Sequence, residues 1–232
     1  MEHKFVKISY TGRIKEGKIF DTTSEEVARK EDLFDEKRSY GLVPVVIGEK
    51  QVIQGLDDVL EDMKVGEERE IEIPPEKAYG QRDSNLIRLV PMRVFKQQKM
   101  TPIPGMAVEL DGKVARIQTV AGGRVRVDFN PELAGKTVVY TVKLEGESET
   151  DEDKIKYLIE RSFSTCDGFE LETGEGNLGI TIPEGSYLNR TILLMKASLA
   201  AEVFKFMDIE KITFSEVWVK KEEAKEKSSK NP

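Results

Sequence analysis

The chain has 232 residues, 38% hydrophobic and 34% charged, enough for one large domain or two to three small ones of a soluble globular protein. A formal net charge of −7 argues against a nucleic-acid backbone as the main partner, and no apolar stretch has the length of a membrane span or of a signal-peptide core. Cys166 is the only cysteine, so an internal disulfide framework is excluded and the expected compartment is the cytoplasm.

Taken in chain order, Phe5 to Tyr10 alternates, with Val6, Ile8 and Tyr10 on one face, and Thr11-Gly12 closes the segment. Lys15 to Lys18 reads as a hairpin turn into a second strand at Ile19-Phe20-Asp21. Ser24 to Ser39 is polar apart from Val27, Leu33 and Phe34, and reads as an excursion inserted into the sheet. Val43 to Ile47 is a buried strand. Val52 to Leu56 then leads into a short helix with Leu56, Val59, Leu60 and Met63 at helical spacing, stopped by Gly66. Glu67 to Ile73 alternates again and ends at Pro74-Pro75.

A separate unit spans 86–130, with apolar segments at Leu89 to Phe95 and Ala107 to Leu110. Its two strands, Val114 to Val120 and Arg124 to Phe129, are joined by the hairpin signal Ala121-Gly122-Gly123. Thr137 to Leu144 reads as a strand returning to the first sheet, and Glu145 to Asp153 as an acidic linker. Beyond it come a helix carrying Ile155, Leu158, Ile159 and Phe163, strands at Phe169 to Leu171 and Leu178 to Ile182, a long helix from Tyr187 to Met207, and a last strand at Ile212 to Val219. The tail over 221–232 is charged and reads as disordered.

Most catalytic signatures are missing. The single histidine, His3, reads as solvated, and no His/Cys cluster has metal-ligand spacing, so neither a metal nor a cofactor is expected. Cys166 has no accompanying histidine to raise its thiolate fraction. What remains is a set of polar and aromatic positions: Tyr10 ends a strand, Asp21 follows Phe20 within another, and Ala78-Tyr79-Gly80 follows a third. Spacing alone reads Tyr10, Phe20, Val52 and Ile53 as ordinary core.

Five ordered segments resemble the FK506-binding-protein family of peptidyl-prolyl cis-trans isomerases. They are Val6 to Gly12, Gly17 to Thr22, Val52 to Leu56, Met63 to Glu67 and Pro75 to Gly80. The unit after residue 84, followed by Asn130 to Gly135, resembles the insert-in-flap domain of the SlyD-like branch. The excursion and the C-terminal domain resemble the long archaeal type. The resemblance implies an α+β fold: an antiparallel half-barrel sheet with a short helix at 1–84 plus 136–147, an inserted small β-domain at 85–135, and a C-terminal α+β domain at 150–220.

It also implies roles. Tyr10, Phe20, Asp21 and Tyr79 fall at catalytic positions, and Val43, Val52, Ile53, Leu56 and Tyr140 at proline-pocket positions; Leu56 stands where many members have Trp. Tyr79 is expected to donate a hydrogen bond to the substrate carbonyl, and Asp21 either acts electrostatically or anchors Tyr10. The insert is expected to offer unfolded chains a chaperone surface of Leu89, Met92, Val94, Phe95, Ile103 and Met106, although many of these must also form its own core. The expected partners are proline-containing peptides and unfolded or partly folded proteins, with no nucleic acid and no membrane. The helix around 192–207 is apolar nearly all round, which predicts either deep burial or a homodimer contact through the C-terminal domain.

Overall fold

The computed structural model of the protein describes residues 3–219, and the tail expected to be disordered lies outside them. Among these, two compact units emerge, residues 8–145 and residues 3–7 with 146–219.

The first sheet begins with β1 (Phe5–Ile14) and β2 (Ile19–Thr22), joined by the turn in which Gly17 donates to Ile14 at 2.8 Å. β1 runs on past Thr11-Gly12, where the sequence suggested an end. A bulge between Gly12 and Arg13 lets pairing with β2 continue, Gly12 opposite Asp21 and Arg13 opposite Ile19. The excursion then forms α1 (Glu25–Lys30), whose first turn is capped by the Ser24 hydroxyl accepting from the Val27 N–H at 3.3 Å.

β3 (Val43–Val46), α2 (Gln54–Leu60) and β4 (Glu68–Ile73) follow. α2 stops at Leu60, short of Gly66; Met63 is still buried, but from a turn. Within the insert, β5 (Ile87–Pro91), α3 (Met92–Gln97), β6 (Ala107–Leu110), β7 (Lys113–Ala121) and β8 (Arg124–Asp128) build a four-stranded antiparallel sheet in the order β5-β8-β7-β6. The apolar run Leu89 to Phe95 is therefore half strand and half helix, divided at Pro91, which cannot donate to a ladder but suits a helix start. Gly122 and Gly123 close the β7–β8 hairpin at φ 56° and 73°, a conformation that glycine adopts without steric cost.

The chain returns through β9 (Val138–Glu147), completing a five-stranded sheet of order β2-β1-β9-β4 with β3 on β1. The expected linker shrinks accordingly: β9 extends to Glu147 and α4 (Asp151–Phe163) starts four residues later, capped by the Thr150 hydroxyl at 3.1 Å from the Asp153 N–H. β10 (Glu170–Gly174) and β11 (Asn177–Ile182) form a hairpin, and α5 (Ile192–Phe206) carries the chain to β12 (Lys211–Glu216), which lies parallel to β11. A crossover helix is what a parallel pair requires.

α5 starts five residues later than the apolar pattern suggested, because Asn189 caps a preceding turn by accepting from the Thr191 N–H at 2.9 Å. Only Leu199 and Val203 of α5 are buried. Leu193, Leu194 and Phe204 are 76%, 72% and 50% exposed, so the helix is covered along one stripe and open elsewhere. His3, read as solvated, is half-buried with its ring edge-on to Phe206 at 5.1 Å.

Candidate active site

The site grows from the middle of the first sheet. Gly12 of β1 is buried and bare, and two rings use the space a side chain would occupy. A β-carbon there would stand 2.9 Å from the Tyr140 ring and 3.1 Å from Phe20. Phe20 lies edge-on to both Tyr79 and Tyr140, with centroids 5.9 Å away in each case, and Tyr10 is tilted against Tyr140 at 5.6 Å. Four aromatic rings from β1, β2, β9 and the segment after β4 thus share one face. The Tyr79 and Tyr140 hydroxyls share a 2.9 Å hydrogen bond.

Asp21 is the one carboxylate among these residues. It accepts from the Tyr10 hydroxyl at 3.0 Å and from the Arg38 guanidinium at 2.6 Å. Burial pushes the Tyr10 phenol up to about 12, helped by the neighbouring Asp21 charge and the hydrogen bond to it. Burial raises Tyr79 and Tyr140 as well. All three phenols are therefore neutral hydrogen-bonding groups at physiological pH.

Arg38 had no signal in the sequence beyond lying in a polar loop. The excursion is itself folded. Phe34 and Tyr40 stack at 5.5 Å, Arg29 covers Phe34 at 3.6 Å, and Gly41 donates back to Thr23 at 2.9 Å. Those contacts fix the loop that delivers Arg38 to Asp21.

The apolar side is set by α2. Gly55 sits so close to Ile73 of β4 that a β-carbon would collide with its Cγ2 atom. Ile73 and Ile71 alternate onto one face of β4, and Ile71 is the cross-strand partner of Tyr140. The start of α2 therefore packs on the face that carries Tyr140. Leu56 is 2% exposed there, while Val52 and Ile53 are half-buried on the segment entering the helix. That segment is tied down by Asp57, whose carboxylate accepts from the Gly48 and Lys50 N–H groups at 3.0 and 3.4 Å. Val43 is half-buried at the start of β3.

Beside Phe20 and Tyr79 opens a cavity of about 590 Å³, whose walls also include Ile19, Leu33 of the excursion, and Pro131 and Leu133 after the insert. In the insert, Leu89, Ile103 and Met106 are exposed, and Met92 and Val94 are half-buried against the core. Phe95 is a correction. It is fully buried among Val108, Leu110, Ala115, Ile117, Val125 and Val127, because α3 turns it inward as the keystone of a small core. Among the described residues no group of three His, Cys, Asp or Glu is placed to hold a metal, and no helix is long and apolar enough to cross a membrane.

Comparison with known proteins gives this arrangement a family. The model described as the FKBP26 IF domain matches residues 88–133, and that of the FKBP26 C-terminal region matches residues 151–219. A short-type peptidyl-prolyl cis-trans isomerase of Methanocaldococcus jannaschii is 37% identical over 140 residues, covering 60% of this chain and 88% of that protein. The FKBP-type isomerase SlyD of Helicobacter pylori is 31% identical over 140 residues, covering 59% and 76%. A crystal structure of the three FKBP domains of wheat FKBP73 aligns with 64% of this chain and 40% of its own at 20% identity, with a TM-score of 0.34, too loose to add weight.

An α+β chain with this aromatic site and these relatives is an enzyme of the rotamase class, acting on proline-containing peptides. The chain belongs to the FKBP-type peptidyl-prolyl cis-trans isomerase family.

Proposed function

We propose that X-Pro isomerisation takes place on the ring cluster, with Val43, Val52, Ile53, Leu56 and Tyr140 holding the proline and Tyr10, Phe20, Asp21 and Tyr79 acting on the amide. The observation that carries this reading is a cluster of four aromatic rings, one of which, Tyr10, hydrogen-bonds the Arg38-paired carboxylate of Asp21. Rotation about an amide meets a barrier of roughly 18–20 kcal/mol because resonance must be lost. The twisted transition state is less charge-separated than the planar amide, so an apolar pocket disfavours the ground state relative to it. No nucleophile is required. Lowering the barrier by about 4 kcal/mol gives on the order of a thousandfold acceleration.

The hydroxyl network supports a division of labour. Tyr10 spends its proton on Asp21, which makes it a positioning residue. Either hydroxyl of the Tyr79–Tyr140 pair can be the donor. Tyr140 is 3% exposed and Tyr79 half-buried, so Tyr79 is the more accessible of the two to a substrate carbonyl. A protease-free isomerisation assay on a Leu-Pro tetrapeptide tests the assignment with Phe20→Ala and Asp21→Ala. Both should lower kcat/KM, and unchanged rates in both would remove the site from this cluster.

We further propose three working units: an isomerase body at 1–84 plus 136–147, a client-binding insert at 85–135, and a C-terminal domain at 150–220. Exposed Leu89, Ile103 and Met106 support client binding by the insert, since each leaves apolar surface open to a partner. Unfolded and partly folded proteins are then its partners, held beside the pocket at high effective concentration. The uncovered side of α5 supports a homodimer through the C-terminal domain. A free cysteine, Cys166, accords with a cytoplasmic setting.

A further inference from the structure

The insert's sheet has two unlike faces. α3 covers one of them, over the core built around Phe95. Register determines what stands on the other, because directly opposed residues of antiparallel neighbours project to the same side. Arg126 stands beside Leu89 and Thr119, and Arg124 beside Pro91 and Ala121. Val114 and Arg116 join them by alternation along β7, against buried Ala115 and Ile117. All of these outward residues are exposed, Leu89 by 62% and Val114 by 74%.

The charged residues of this face are Arg116, Arg124 and Arg126, together with Glu109, opposite Val114, and Asp128, opposite Arg116. Arg116 is paired with Glu132 at 3.0 Å, and Asp128 is engaged by Arg82. Among the described residues no ion pair engages Arg124 or Arg126, which flank the exposed Leu89 and Pro91. A surface that only trapped apolar side chains would not need them. Guanidinium groups beside apolar carbons cover those carbons with their stems and present forked donors to carboxylates.

Val114 and Arg116 line a cavity of about 420 Å³ at the base of the insert, together with Pro131 and Glu132. Pro131 and Glu132 in turn line the cavity beside Phe20 and Tyr79. The two cavities thus share two lining residues, Pro131 and Glu132.

We propose that the open face of the insert selects client segments in which apolar side chains are interspersed with Asp and Glu. The inference rests on the client-binding reading of the insert, and its test separates the two. Three labelled, proline-free peptides of equal length and identical apolar residues, with Glu, Gln or Lys between them, are titrated with the full chain by fluorescence anisotropy. The Glu peptide should bind about tenfold more tightly than the Lys peptide at low salt, as two exposed charge pairs allow, and the gap should close as salt rises.

Arg124→Gln with Arg126→Gln should abolish the difference between peptides while leaving the melting temperature of the insert intact, and the corresponding double Lys variant should preserve it. Equal affinity for all three peptides, or preference for the Lys peptide, overturns charge selection and leaves client binding standing. Absence of binding to any peptide overturns client binding itself. Tighter binding of a single-stranded RNA oligomer than of the Glu peptide would assign the face to a different ligand and overturn the proposal.

Discussion

Asp21 is held from opposite sides by the Tyr10 hydroxyl and the Arg38 guanidinium, and the second of these comes from a loop seventeen residues away. Arg38→Ala leaves the carboxylate without its cation beside an apolar pocket, so kcat/KM on a proline tetrapeptide should fall by about tenfold, with Arg38→Lys recovering part of it. An unchanged rate in Arg38→Ala would show that the pair is only structural. The tyrosines predict a pH effect with a definite sign. Tyr10 in the folded chain keeps its proton up to about 12, whereas the unfolded chain releases it near the ordinary value of 10.0. The unfolded state therefore binds fewer protons between these values, and stability falls as pH rises through them. The contribution is fully present below pH 10. Urea unfolding at stepped pH should show a shallower loss in Tyr10→Phe than in the parent chain.

At the scale of elements, the proposed site depends on how close α2 comes to β4. Gly55 permits that approach, and a β-carbon in its place meets the branched, buried side chain of Ile73. Gly55→Ala should cost about 1–3 kcal/mol of stability by overpacking and should also lower activity, since Val52, Ile53 and Leu56 shift with the helix; urea titration and the tetrapeptide assay read the two effects. The insert has its own weak point at Phe95. Phe95→Ala empties the centre of a seven-residue core and should destabilise the insert by roughly 3–5 kcal/mol. Hydrogen exchange should then rise across β5 to β8, with the pocket strands β1, β2 and β9 unaffected.

At the scale of the whole molecule, the chain enters and leaves the insert at one place. The Asp83 N–H donates to Asn130 Oδ1 at 2.8 Å and the Asn130 amide returns a bond to the Asp83 carbonyl at 2.9 Å, so the two ends of the insert are adjacent. Replacing the chain between them with a short Gly-Ser bridge should leave tetrapeptide isomerisation within about twofold while lowering proline-limited refolding of an unfolded protein by tenfold or more, as loss of effective concentration requires. Equal losses on both substrates would argue that the insert serves only the pocket. Sedimentation velocity should show a dimer for the full chain and a monomer after truncation at residue 147; a monomer in both cases would reject association through α5.

The strands and the order of the elements were legible in the sequence, because alternation and glycine turns are local properties: Ile19 to Asp21, the Gly122-Gly123 hairpin and the return near Val138 all stand where the pattern put them. Element ends were less legible. Gly12, Leu60 and Asn189 show why: a bulge, a turn that still buries Met63, and a side-chain cap each outweigh the periodicity around them. Ordered motifs supplied Tyr10, Phe20, Asp21 and Tyr79 as a set, although their spacing alone described a core. What sequence determined by itself was thus the family, and with it the residue types of the proposed pocket. Only the tertiary structure decided that Arg38 completes the Asp21 pair, that Phe95 is core and not surface, and that arginines flank Leu89 on an open face. The physical reason is common to all three. Each depends on where distant segments meet or on which side of a sheet is covered, and no local pattern of side chains records that.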